Sequence, residues 1–120
     1  DDGQFVLVSL DGIHLVSSDR STESTVWAID DPLRQVVDLR VVGSVVFALS
    51  TTQQASTNGF THLHRFVLGS DMQLTVDVTA DRSGMDSAPY FGDITDTHGA
   101  VNIGGSWRYF SPKTLASLPE

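Results

Sequence analysis

His62 and His64 stand two apart in a stretch that alternates, so on a strand both imidazoles leave the same face. A metal ion can use such a pair, because tetrahedral sites accept imidazole nitrogens. A site needs at least a third ligand, and His14, His98 and the many aspartates do not single one out. The expectation is two polar residues on a half-exposed face, with no metal assigned. Asp93-Ile94-Thr95-Asp96-Thr97-His98-Gly99 sets oxygen-bearing side chains ahead of a glycine, as calcium loops do. Its aspartates are three apart rather than two, and His98 takes a place a carboxylate usually fills; it reads as a β-turn. Trp27 and Trp107 have rings large enough to stack a ligand, but Trp on such strands is more often a packing residue. Both are expected in the core. No Gly-x-Ser-x-Gly elbow, phosphate loop or dinucleotide fingerprint is present. Catalytic residues and a cofactor are therefore not expected.

The elements that must carry these residues are short strands. Phe5 to Ser9, Ile13 to Ser17 and Thr25 to Ile29 are three, the first two joined by the tight turn Asp11-Gly12. Asp30-Asp31-Pro32 stops the third, since Pro has no amide hydrogen for a ladder. Val36 to Val42 and the apolar run Val45 to Leu49 flank the turn Gly43-Ser44. A polar loop over 51–59 leads to Phe60 to Leu68, where Phe60, His62, His64 and Phe66 share one face. Leu74 to Val78 follows, then a second loop over 80–87. Pro89 to Ile94, Ala100 to Gly104 and Trp107 to Ser111 complete a set of about ten strands. Lys113 to Leu118 can make at most a turn, and no amphipathic helix is expected.

Composition agrees with a single all-β domain, or a segment of a larger one, spanning residues 1–120. Hydrophobic residues make up 40% of the chain and charged residues 18%, ordinary values for a globular protein. The net charge of −8 would repel a phosphate backbone, so nucleic acid is not an expected partner. Without cysteine there are no disulfides and no thiol chemistry. No apolar run approaches the length of a membrane span. An opening at Asp1 rather than Met is what a processed chain or an excised segment would show.

One stretch orders the rest. Asp19, Thr22 and Trp27 in residues 17–27 return in part as Ser111, Thr114 and Pro119, and Thr22 and Thr114 are 92 residues apart, two periods of 46. That period fits one four-stranded blade. The pattern resembles the Ala-x-Asp-x-x-Thr-Gly-x-x-x-Trp repeat of quinoprotein-like β-propellers, with Asp19, Thr22, Trp27 and Thr114 as its matching residues. Ser17 replaces its Ala, and Glu23 and Leu115 replace its Gly. The resemblance implies propeller-like antiparallel blades, here about two and a half in an incomplete ring, with Trp27 packed on the neighbouring blade. By strand count the first unit lacks its first strand and the third its last. Open edges of this kind imply a homo-oligomer formed by strand-edge pairing, or a longer protein.

Phe5-Val6-Leu7-Val8-Ser9-Leu10-Asp11-Gly12-Ile13-His14-Leu15-Val16-Ser17, with Trp27 and Asp31-Pro32, is also similar to the start of the ER-luminal domains of unfolded-protein-response sensor kinases. That similarity covers residues 4–36. It implies a non-enzymatic, dimerising domain of the ER lumen, or another extracytoplasmic compartment, that senses misfolded polypeptide or a chaperone. The propeller resemblance leaves two alternatives open. One is a blade segment of a quinone-dependent dehydrogenase, the other a bacterial extracytoplasmic assembly scaffold.

Overall fold

The computed structural model describes residues 4–9, 12–17, 19, 21–29, 34–52, 61–70, 72–78, 89–103 and 105–118. Among these residues the chain is all-β and antiparallel, and its sheets do not close a ring. The first sheet holds β1 (Gln4–Ser9), β2 (Gly12–Ser17) and β3 (Glu23–Ala28), in that order. The middle sheet holds β4 (Arg34–Val42), β5 (Val45–Thr52), β6 (Thr61–Val67) and β7 (Gln73–Asp77). The third holds β8 (Tyr90–Ile94), β9 (Gly99–Ile103), β10 (Ser106–Phe110) and β11 (Ser117–Leu118). The strand expected to be missing from the third unit is therefore present. Its two residues pair with Tyr109 and Phe110, across a turn where a strand was not expected. The first sheet does have one strand fewer than the others, as expected. The loops expected over 51–59 and 80–87 lie almost wholly outside the described residues, as do Asp2-Gly3, Asp11 and Asp30-Asp31-Pro32.

The middle sheet is covered on both faces, which is why β5 is a continuous apolar run. Side chains alternate along a strand, and here each parity has its own core. Val46, Ala48 and Phe66 meet Ile13 of the first sheet, with Val26 and Trp27 packed against them. Phe47, Leu49 and Leu63 meet Phe91, Val101, Ile103, Phe110 and Leu115 of the third. The fold is a stack of three sheets with two apolar seams.

The three sheets are built alike. In each, the hairpin closing the last two strands is fastened by an amide bonded to the carbonyl five residues on: Ser17 to Thr22, Val67 to Met72, Ser111 to Ala116. The two tight hairpins at Gly43 and Gly105 place glycine at φ 61° and 84°, which a side chain disfavours.

β4 of the middle sheet and β8 of the third lie against each other. Both strands carry a bulge, at Val36/Asp38 and between Phe91 and Ile94. Asp38 reaches across the seam: its Oδ2 accepts the Phe91 amide at 2.8 Å. Its Oδ1 accepts from the Leu39 amide and from Arg40 Nη1 at 2.8 and 3.1 Å. Arg40 Nη2 in turn donates to the Phe91 carbonyl at 3.2 Å, so a carboxylate and a guanidinium hold the amide and the carbonyl of one residue. Asp38→Ala strands the Phe91 amide and is expected to lower stability by about 1–3 kcal/mol. Denaturant melts check this. Asp38→Asn, which keeps an acceptor, should lose less, and an Asp38→Ala midpoint equal to the parent's would show that the grip contributes nothing.

Candidate functional site

Five polar side chains gather on the face of the middle sheet that looks toward the first. The alternation of β6 puts His62 and His64 there together, as the sequence requires, with ring centroids 6.2 Å apart. β5 brings Ser50, β7 brings Thr75, and β4 begins at Arg34, whose guanidinium enters the group. Arg34 Nη1 donates to Ser50 Oγ at 2.7 Å and to His62 Nδ1 at 3.0 Å. Ser50 Oγ is 2.7 Å from His64 Nε2, and His64 Nδ1 is 3.0 Å from Thr75 Oγ1. Arginine can only donate, so Ser50 and His62 accept from it. Neutral His64 donates from one ring nitrogen and accepts at the other, so Ser50 and Thr75 satisfy both ends of the imidazole in either tautomer.

His64 was expected on a half-exposed face, and here the structure corrects the sequence. It is 3% exposed, because the first sheet lays Trp27 over it. The indole and imidazole centroids are 4.3 Å apart, and Trp27 also stacks on Phe66 at 5.7 Å. Burial, then the neighbouring His62 and Arg34, push His64 down to about 3. His62 is also lowered, chiefly by burial and by Arg34, against an opposing pull from Asp77. Both rings are held neutral near pH 7.

Ser50 and His64 have the contact by which a base activates a nucleophile. They lack an approach. Ser50 is 0% exposed, so a substrate carbonyl has no path to its Oγ, and Thr75 stands where a carboxylate would orient the base. The group is a fastened polar core between two sheets. Sequence reading missed Ser50 and Arg34, the first because it ends an apolar run and the second because it follows a strand-stopping proline.

The other candidates disperse. His14 on β2 pairs with Glu23 at 3.2 Å, and His98 sits in the β8–β9 turn against Thr97 Oγ1 at 2.8 Å. Among the described residues no three His, Asp or Glu side chains converge to hold a metal ion. The 93–99 segment is the turn expected: Thr95 donates its amide to the His98 carbonyl at 2.7 Å, and its hydroxyl accepts from the Thr97 and His98 amides. Asp19 braces its own loop, its Oδ1 accepting from Ser21 Oγ and N and from Ser17 Oγ at 2.7, 3.0 and 2.8 Å. Those bonds, Ser21's first, lower its carboxyl to about 2. Thr22 donates its amide to Ser17 Oγ, and Thr114 Oγ1 accepts from the Ala116 amide. Leu115 has φ 63°, a left-handed conformation. Trp107 departs from expectation: it is 44% exposed, on the face of the third sheet turned away from the core.

A separate hollow of about 420 Å³ opens between the first and middle sheets. One wall is β3, the edge strand of its sheet, through Ser24, Thr25 and Val26. Phe66, Leu68 and Met72 form the other. No protein-family model, curated protein or solved structure matches the chain.

Proposed function

We propose that this chain is a non-enzymatic protein-interaction domain that takes up extended polypeptide along β3, the edge strand of its sheet among the described residues. The observation that carries the reading is the juxtaposition of that edge with a hollow whose lining mixes Val26, Phe66, Leu68 and Met72 with Ser24, Ser70 and Gln73. An added strand would satisfy edge amides and carbonyls, while the hollow would receive every second side chain. An unfolded polypeptide, a chaperone segment or the edge of a second copy all offer such a strand. The sealed state of Ser50 and His64 favours this reading over an enzymatic one.

The propeller-like reading draws on three features. Three sheets follow one another with the same hairpin closure. Trp27 packs onto the neighbouring sheet. Leu115, standing where the repeat carries glycine, adopts the left-handed conformation glycine would serve. With the similarity of residues 4–36, this supports a luminal stress-sensing role as the specific form of the proposal.

Binding of a fluorescein-labelled, reduced and carboxymethylated protein tests it. The parent chain should raise the anisotropy saturably, and Met72→Lys and Val26→Lys should each weaken binding at least tenfold. Met72 is exposed, so its variant should melt as the parent does. No saturable binding, or equal binding by all three proteins, would sink the reading.

A further inference from the structure

The two seams of the stack are built from different material. Between the middle and third sheets the ring of Phe110 meets Phe47 at 6.0 Å and Phe91 at 6.3 Å, with Leu49, Leu63 and Ile103 around them. Polar bonds cross that seam as well: Asp38 and Arg40 hold Phe91, and Arg65 Nε donates to the Pro112 carbonyl at 2.8 Å. Between the first and middle sheets the buried apolar residues are Ile13, Val46, Ala48 and Phe66. Stacked on Phe66 at 5.8 Å is His64, with its partners Ser50 and Thr75 and, behind them, Arg34 and His62. Every member of that polar group stands on the middle sheet. Its cover, Trp27 of β3, comes from the first.

While that cover is in place the imidazole resists a second proton. Charged, it must donate from both nitrogens, yet the Ser50 hydroxyl at Nε2 already accepts from Arg34, so two cations would share one oxygen. Among the described residues the charged or titratable groups around it are Arg34 on β4, His62 on β6 and Asp77 on β7. β5 brings Ser50 and β3 the indole. Asp77 pairs in register with His62 rather than His64, and Glu23 of β3 is joined to His14 inside the first sheet. Burial, His62 and Arg34 hold His64 down to about 3, against an ordinary 6.5. We propose that the first sheet is an acid-released cover: when β3 lifts away, His64 takes a proton, and the charged ring keeps the seam open. Going from pH 7.5 to 5.0 multiplies the lifted form, relative to the closed one, by about thirty. The third sheet stays seated, because its seam has phenyl rings where the first has an imidazole. Lifting β3 also takes away one wall of the hollow, so proton uptake and polypeptide capture, where this step rests on the reading above, oppose each other.

Native-state hydrogen exchange on the free chain tests the release without any captured polypeptide, so its failure leaves the capture reading standing, and the reverse holds. Peptides from β1 to β3 should be less protected than those from β8 to β10, at pH 7.5 and at pH 5.0. Corrected for the intrinsic exchange rate, first-sheet protection should fall about thirtyfold between those two pH values. His64→Gln, which bonds without titrating, should remove most of that fall. Persisting protection of its β8 to β10 peptides reports that the rest of this variant is folded. Equal protection of the first and third sheets in the parent would mean that the stack opens as one unit, and would overturn the proposal. So would first-sheet protection that is the same at both pH values, or that falls as far in His64→Gln as in the parent.

Discussion

Trp27→Ala is expected to lower the stability of the fold by about 3 kcal/mol, the lower end of the range for truncating a buried tryptophan. Its ring is partly rather than wholly buried, which sets the estimate at that end. Three losses combine. The indole leaves the seam between the first and middle sheets, where it packs against the cluster of Ile13, Val46, Ala48 and Phe66. Its stacking on Phe66 and His64 disappears with it. Water then reaches the Arg34–Ser50–His64–Thr75 network, whose bonds are strongest when dry. Urea melts of parent and variant measure the effect. An unchanged midpoint would mean that the indole covers nothing, and that Trp27 is free to stack a ligand after all. Trp27→Phe keeps an aromatic over His64 and should lose less than the alanine variant.

How far the sequence shows this arrangement depends on the range of the interaction. Periodicity is local, so the run Val45 to Leu49 and the alternation of Thr61 to Val67 announce their strands directly. Glycine at Gly43 and Gly105 announces two hairpins for the same reason. The face shared by His62 and His64 is equally legible, but what covers that face is supplied by Trp27, in another sheet. Trp107 is the converse case. Its strand reads like a core strand, and its exposure follows from its place on the face of the third sheet opposite Val101 and Ile103. β11 was hidden because two residues carry no period, and only the reversal at Leu115 brings Ser117 and Leu118 beside β10. Arg34 was hidden because Pro32, two residues ahead of it in the sequence, reads as a strand stop.

Acid is expected to weaken the fold from about pH 6.5 downward, well above the range in which ordinary carboxylates titrate. The sign follows from His64. Its folded value is about 3 and its reference value 6.5, so between those limits the unfolded chain binds a proton that the folded chain refuses. Stability therefore rises with pH across that window and falls as pH is lowered, by up to about 1.4 kcal/mol per pH unit. Going from pH 7 to pH 5 removes about 2 kcal/mol through this residue alone. His62 is lowered too and acts in the same direction. The charged or titratable groups disposed about the pair are Arg34, which opposes protonation of both rings, and Asp77, which favours it at His62. Asp19, lowered from 3.8 to about 2, makes its contribution below the pH 5–7 range in which the slope is read. Chemical denaturation at pH 7, 6 and 5 reads the slope. His64→Gln, which bonds without titrating, should flatten most of it even if its stability at pH 7 is lower. Trp27→Ala should flatten it partly, because water admitted to His64 raises its value in the folded state toward 6.5. Equal slopes for the parent and His64→Gln would show that the imidazole is not held neutral beneath Trp27.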